Sequence, residues 1–200
     1  MRADVKAAQD LCDFDAVYCV KQAGIHWPNK FDVWAGLHPE YMRGENDRVP
    51  RLNYVAEREA LGYPGGYEIV VPLDSEVGTH SGKCKDARRV SYKWPGMSAS
   101  ASSGIFAAKV AMEDGFLVVL AGVPMTPQGG HFLPGTKNIN GETRGKVWLQ
   151  RDSFASGDMR RPKGLEIAVP FMRGKVKSMS GYTKELLGYP TEAWLSGRTD

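Results

Sequence analysis

The sequence lacks the features that mark several classes of protein. Its 200 residues include only three cysteines, Cys12, Cys19 and Cys84, with no CxxC pair and no metal-ligand spacing. A small and odd number of cysteines argues against a disulfide framework, and their spacing argues against a structural zinc site. Both features favour reduced, buried thiols. No run approaches the roughly 20 apolar residues that span a membrane, and the start of the chain lacks the basic flank and apolar segment of a signal peptide. We therefore expect a cytoplasmic protein with no membrane partner.

The motifs of the common nucleotide-dependent enzymes are also missing. The chain has neither the G-x-G-x-x-G fingerprint of dinucleotide-binding folds nor a P-loop, and it has no G-x-S-x-G nucleophile elbow. These absences argue against an ordinary dehydrogenase, an ordinary P-loop NTPase and a nucleophilic serine. The net charge is only +3, so the total charge does not require a nucleic-acid partner.

The basic residues are unevenly distributed along the chain. From Lys83 to Lys93 there are five basic residues against Asp86 alone, and from Arg160 to Lys184 there are seven against Glu166 alone. One interpretation is that both segments give a binding site a positive rim suited to phosphates. The alternative is a solvated basic surface, with weak, sequence-independent binding of DNA as a third reading.

The alternation of helices with short apolar runs predicts an α/β fold. We predict strands over residues 15–20, 30–37, 67–71, 116–123, 166–170 and 176–179. We predict helices over residues 3–11, 105–114, 146–160 and 183–187. The remaining segments are predicted as an exposed helix and loop over 42–64 and as long loops over 74–97 and 126–145. Nearly continuous apolar strands are typical of a mostly parallel sheet covered on both faces. The expected architecture is one Rossmann-like open sheet with helices on both faces over residues 1–200, with 145–200 as a C-terminal extension packed on it.

The start of the chain is unusual for such a fold. In open nucleotide-binding α/β folds the first strand feeds a glycine-rich turn that leads into a helix. Here the chain begins with the helix, so either the first strand lies upstream of Met1 or the fold starts differently.

The most informative segment runs from Ser98 to Met125 and predicts a small-residue loop, a helix and a buried strand. Four serines are suited to cap the helix start, Ser98, Ser100, Ser102 and Ser103, and Gly104 lets a ligand approach the backbone closely. Free N–H groups and the positive end of the helix dipole make such a start a candidate phosphate site. The alternative is a well-capped helix that binds nothing.

Two further candidate residues precede this segment, and one lies near its end. Lys93 is suited to neutralise a phosphate, and Trp94 or Tyr92 is suited to stack on a base, although packing in the core or on the surface is the commoner use of tryptophan. Gly122, at the end of the buried strand, completes the predicted nucleotide-binding set.

Histidines at the ends of predicted strands are the candidate catalytic bases. His131 lies in a glycine-rich loop after the strand that ends near Val123, and His38 follows the second strand. Ligands of open α/β sheets gather at the carboxyl ends of strands, and imidazole titrates near neutral pH. Asp32 would lie about 20 Å from His38 along the strand, so Glu40 is the nearer carboxylate. The alternatives are a loop histidine and a strand-end histidine without catalytic roles.

No cofactor motif accompanies these residues. His26 and His80 receive no role, and no acid or cysteine completes a metal site around any histidine. The pattern leaves room for magnesium, which needs only one or two carboxylates and a substrate phosphate.

The serine-glycine motif resembles a segment of two related families. One family is the bacterial Rossmann-like sialyltransferases, which use CMP-linked sugars, and the other is the MptE-like 6-hydroxymethylpterin diphosphokinases. The similar features are Ser103-Gly104, the helix Ala107–Ala111, Gly115-Phe116, the strand Val118–Leu120 and Gly122. The chain as a whole also resembles uncharacterised proteins of tailed phages and prophages. This second resemblance covers nearly the whole chain and depends on the block Asp32–Glu40 and the ending Ser178–Gly188. Both enzyme families place an acid just after the last glycine, whereas this chain continues Val123-Pro124-Met125.

The resemblance implies a nucleotide- or nucleotide-sugar-binding transferase, with glycosyl transfer favoured over diphosphate transfer. A phage origin would place it in the cytoplasm of a bacterial host or in the virion. The alternative is a non-catalytic nucleotide-binding protein, or a structural or accessory virion protein, that kept the fold and lost the chemistry. A nucleotide ligand is the expected partner in the first two cases, and a homo-oligomer or a phage-particle component is the expected protein partner.

Overall fold

A computed structural model describes residues 2–44, 52–77, 84–97, 102–125 and 165–198 of the chain. His131, the loop predicted over 126–145 and the helix predicted over 146–160 lie outside these residues. The chain divides into two compact units. We call Asp15–Trp94 with Ser102–Val110 the sheet unit, and Met1–Phe14, Pro95–Ala101 and Ala111–Asp200 the terminal unit. The expectation that both units form one domain stays a prediction.

The sheet unit is built on four parallel strands. They are β1 (Tyr18–Val20), β2 (Val33–Ala35), β3 (Glu68–Pro72) and β4 (Arg88–Val90), and they are hydrogen-bonded in the order β1-β2-β3-β4. Each pairs in parallel with the next, with Trp34 opposite Cys19 on one side and Ile69 on the other. The central strands β2 and β3 are buried almost throughout, as a parallel sheet flanked by helices requires. The predicted Rossmann-like open α/β fold is confirmed.

Helices connect the successive strands of this sheet. They are α2 (Gln22–His26) after β1, α3 (Pro39–Met42) and α4 (Tyr54–Ala60) after β2, α5 (Asp74–Val77) after β3, and α6 (Ser103–Glu113) after β4. Asn53 caps α4 by accepting a hydrogen bond from the N–H of Ala56. Helix α2 packs against both β1 and α4. Helix α6 begins in the sheet unit and ends in the terminal unit.

The core of the sheet unit is aromatic. Trp34 is fully buried, its indole N–H donates to the carbonyl of Lys21, and Phe31 and Tyr67 meet its ring edge-on. Helix α2 approaches this ring so closely that a Cβ on Gly24 would lie 2.3 Å from Trp34 Cε2. Glycine is therefore required at position 24 because no side chain fits between helix and ring.

The terminal unit contains a second, smaller sheet. Its strands β5 (Val118–Leu120) and β6 (Val176–Ser178) pair in parallel. Its other described helices are α1 (Arg2–Gln9), α7 (Leu165–Met172), α8 (Gly181–Leu187) and α9 (Glu192–Leu195). Gly181 has a φ of 65°, and a Cβ there would lie 2.5 Å from the carbonyl oxygen of Pro124.

Three sequence predictions are corrected by the structure. Residues 166–170, predicted as a strand, form helix α7, whose buried residues Leu165, Ala168, Val169 and Met172 follow the helical spacing i, i+3, i+4, i+7. The segment 74–97, predicted as a loop, contains α5 and strand β4. Helix α4 is not wholly exposed, since Tyr54 and Arg58 are buried. A short, mostly apolar run such as 166–170 is compatible with either a strand or a buried helix, which explains the first error.

Candidate functional site

The carboxyl ends of the four parallel strands form one edge of the sheet, and candidate residues follow two of them. His38 lies three residues beyond β2, and Lys93 and Trp94 lie just beyond β4. One strand separates β2 from β4, so these strand ends are about 10 Å apart. The fold therefore places two parts of the predicted site on the edge where open α/β sheets bind ligands.

His38 is paired with Glu40. The Nδ1 atom of His38 lies 3.1 Å from Oε1 of Glu40, and the carboxylate side chain is 7% exposed whereas the imidazole is 50% exposed. The ring of Tyr41 stacks on His38, with the centroids 5.0 Å apart. Asp32 is engaged elsewhere, because its Oδ2 accepts a hydrogen bond from the N–H of Val17. The expectation that Glu40 is the nearer carboxylate is confirmed.

A second carboxylate, Glu76 of α5, holds the segment that carries Lys93. Its Oε1 accepts a 2.6 Å hydrogen bond from the hydroxyl of Ser91, and its Oε2 accepts one from the N–H of Tyr92. The Ser91 oxygen in turn accepts from the N–H of Lys93. Burial, followed by the charge of Glu76, raises the pKa of Tyr92. The sequence analysis missed Glu76 because it treated 74–97 as a loop.

Lys93 and Trp94 have different surroundings. The ammonium of Lys93 lies 5.8 Å from the ring centre of Tyr92, and its side chain is partly exposed. Trp94 is buried, and the ammonium of Lys109 in α6 lies 5.9 Å from its ring. Trp94 therefore brings the end of β4 against the middle of α6. Its predicted stacking on a base stays a prediction.

The start of α6 is buried and polar. The Ser102 hydroxyl accepts a hydrogen bond from the N–H of Ile105, which makes Ser102 the N-cap of the helix. Ser103 is only 3% exposed, and its Oγ has no hydrogen-bond partner among the described residues. Gly104 is buried, and the next two turns are buried on nearly every side. The predicted capping role is confirmed for Ser102, whereas the hydroxyl of Ser103 is left without a partner within the part of the chain that the structure describes.

Gly122 belongs to the terminal unit, and its backbone is already engaged there. Its N–H donates a 3.1 Å hydrogen bond to Oδ2 of Asp4 in α1, and the hydroxyl of Ser180 donates to the same oxygen. No acidic residue directly follows Gly122 in the sequence, and Asp4 instead supplies a carboxylate to this glycine. No local signal could have identified Asp4, because it lies 118 residues from its partner.

The remaining expectations concern metals, membranes and His131. Within the described residues, no three histidine, cysteine, aspartate or glutamate side chains cluster to hold a metal ion. No helix in that part of the chain has the length and apolar character needed to cross a bilayer. His131 lies outside the described residues, so its role as a base stays a prediction.

No protein-family model, curated protein or solved structure matches this chain. The resemblances to sialyltransferases, diphosphokinases and phage proteins accordingly stay predictions from the sequence.

Proposed function

We propose that the protein binds a nucleotide or nucleotide sugar through a phosphate held at the start of α6, by Ser102, Ser103 and Gly104. Lys93 neutralises the phosphate, and His38 is the general base for transfer of the attached group. Glycosyl transfer is favoured over diphosphate transfer because of the sequence resemblance.

The observation that carries this proposal is the buried hydroxyl of Ser103, which has no hydrogen-bond partner among the described residues. A buried hydroxyl without a hydrogen bond costs roughly 1–3 kcal/mol, and this one lies on the first residue of an 11-residue helix. The first N–H groups of a helix lack intrahelical partners, and the helix dipole makes this end positive. A phosphate oxygen would satisfy the hydroxyl and the N–H groups together.

The proposed chemistry requires one proton transfer. The acceptor hydroxyl gives its proton to Nε2 of His38 while its oxygen forms a bond to the anomeric carbon of the donor. The bond from that carbon to the donor phosphate oxygen breaks, and the nucleotide leaves with the electron pair. His38 suits this role because its ring is half exposed at the carboxyl edge of the sheet while Glu40 holds its other nitrogen.

The test is the thermal stability of the protein with CMP, UDP, GDP and their sugar conjugates. A bound nucleotide at 100 times its dissociation constant stabilises the fold by about 2.7 kcal/mol. Ser103→Ala should keep or slightly raise the stability of the free protein, because it removes an unsatisfied buried hydroxyl, and should abolish most of the nucleotide-dependent shift.

Ser75→Ala, at an exposed position of α5, is the control and should change neither stability nor binding. Ser102→Ala tests the cap within the proposed site and should lower the stability of the free protein by about 1 kcal/mol. A full nucleotide shift in Ser103→Ala, or no shift in the wild type with any nucleotide, contradicts the proposal.

A second candidate is nucleotide binding without chemistry. Two observations at Gly122 support it. The N–H of Gly122 is already hydrogen-bonded to Asp4, and no acidic residue directly follows this glycine in the sequence. Chromatography of the bound ligand after incubation distinguishes the two functions, because a transferase releases free nucleotide whereas a sequestering protein returns its ligand intact. For a transferase, His38→Gln should keep the nucleotide shift and lose turnover by about 10²–10⁴-fold.

A further inference from the structure

We propose that Glu40 is a positioning residue that fixes His38 in the tautomer with its hydrogen on Nδ1, leaving Nε2 as the atom that accepts protons. The catalytic meaning of this inference rests on the proposed function, but the tautomer itself can be tested without any ligand.

The first support is the contrast in burial within the pair. The Glu40 carboxylate is almost completely covered, whereas half of the His38 side chain is open. A buried carboxylate must receive hydrogen bonds, because an unsatisfied buried charge is strongly unfavourable. When the Glu40 carboxyl is ionised it only accepts, and at 3.1 Å the hydrogen between the two side chains is then the one on Nδ1.

The second support is the way the imidazole is held. Tyr41 stacks on it with an interplanar angle of 27°. The Tyr41 ring in turn meets that of Tyr54, and Tyr54 stacks on the fully buried Trp34. The orientation of the His38 ring is thereby linked to the core of the sheet unit, and the two ring nitrogens have distinct surroundings. A base held in this way is preorganised, which is a general requirement for efficient proton transfer.

The consequence concerns the fraction of molecules able to act as a base. A neutral imidazole in water prefers the tautomer with hydrogen on Nε2, in which the outer nitrogen cannot accept a proton. A hydrogen-bond acceptor at Nδ1 reverses this preference. Glu40 therefore acts on the reaction through His38 and touches no substrate.

The test is nuclear magnetic resonance of the full ¹⁵N-labelled chain at a pH where its histidines are neutral. Long-range ¹⁵N–¹H correlations distinguish a protonated ring nitrogen from a bare one, and His38→Gln identifies the His38 signals by their loss. We expect wild-type His38 to carry hydrogen on Nδ1. Glu40→Gln, which keeps an acceptor oxygen, should retain this tautomer, and Glu40→Ala should revert to hydrogen on Nε2. His26, exposed on α2, is the internal control and should be the same in all variants.

The outcomes separate this inference from the proposed function. Wild-type His38 with hydrogen on Nε2, or an unchanged Nδ1–H tautomer in folded Glu40→Ala, overturns the positioning role even if nucleotides bind. The expected tautomers without any nucleotide-dependent stabilisation support the positioning role and contradict the proposed function. With a substrate in hand, Glu40→Ala should lower kcat by at least about tenfold with KM little changed. Equal effects of Glu40→Gln and Glu40→Ala on kcat would contradict positioning through the hydrogen bond.

Discussion

Arg58 in α4 shows how one side chain organises the sheet unit. The residue is 1% exposed, and all five N–H groups of its guanidinium donate to backbone carbonyls. The acceptors are the carbonyl oxygens of Gly24, Trp27, Asn29 and, twice, Pro64. The aromatic ring of Phe31 lies 4.5 Å from the guanidinium carbon. Because the charge is neutralised by carbonyl dipoles and a ring face, the residue links helix α2, the loop that follows α2 and the loop that follows α4 without a carboxylate partner among these contacts.

We predict that Arg58→Lys destabilises the protein by more than about 3 kcal/mol, because an ammonium has three donors and cannot reproduce the planar arrangement. The measurement is the free energy of unfolding from urea denaturation. Arg43→Lys is the matched control: Arg43 pairs with Asp86 at a largely exposed site, so its replacement should change stability by less than about 1 kcal/mol. Similar effects of the two substitutions would contradict this role for Arg58.

Residues of the candidate site differ in how far the sequence could predict them. Ser102 was predicted as a helix cap from its position before an apolar helix, and capping involves only a neighbour three residues away. Glu40 was also predicted as the carboxylate nearer to His38, since it lies only two positions further along the chain. Glu76 was missed because its partners, Ser91 and Tyr92, lie across a strand that was itself not predicted.

At the scale of elements, helix α1 of the terminal unit is attached to the ends of β5 and β6 through the carboxylate of Asp4. Asp4 in the first turn of α1 receives hydrogen bonds from the N–H of Gly122, just after β5, and from the hydroxyl of Ser180, just after β6. Thr183 connects the same strand ends by bonding the carbonyl of Val123 and the hydroxyl of Ser178. The ends of β5 and β6 are therefore joined to α1 by a polar network rather than by apolar packing alone.

We predict that Asp4→Ala weakens the attachment of α1 and destabilises the terminal unit by about 1–2 kcal/mol, the usual range for hydrogen bonds to a partly exposed charged group. The amide hydrogen of Gly122 should exchange with solvent markedly faster, as hydrogen–deuterium exchange would show. In Asp10→Ala, which removes an exposed pair with Lys6 on the same helix, the exchange at Gly122 should stay at the wild-type rate. An unchanged Gly122 amide in Asp4→Ala would contradict the attachment.

At the scale of the whole molecule, the buried thiol of Cys19 should make the free energy of unfolding depend on pH in the alkaline range. Burial raises its pKa from 9.0 to about 12, with the charge of Arg58 acting in the opposite direction. Between these values the folded protein retains a proton that the unfolded chain releases. Stability is therefore fully present below about pH 9 and declines as the pH rises towards 12, by up to about 1.4 kcal/mol per pH unit from this group.

The measurement is the free energy of unfolding from pH 8 to 10.5 for the wild type and for Cys19→Ala. The variant is less stable at neutral pH because it leaves a small cavity, but its stability should fall less steeply with pH. Burial also raises the pKa of Tyr41, Tyr67 and Tyr92, and these contributions are common to both proteins. Cys12→Ala, at a partly exposed position, should keep the wild-type slope. Parallel curves for the wild type and Cys19→Ala would contradict the prediction.

The sequence by itself determined the parallel α/β class, the positions of most strands, the start of α6 and Glu40 as the carboxylate nearer to His38. These features depend on hydrophobic patterns and on neighbours within a few residues, which the order of amino acids shows directly. Only the tertiary structure decided that residues 165–172 form a helix, that the described strands divide into two sheets, and that Arg58 is buried. It also decided the partner of Gly122 and the isolation of the Ser103 hydroxyl among the described residues. Hydrogen bonds between distant segments follow from which groups are removed from water together, and that is settled only when the chain packs.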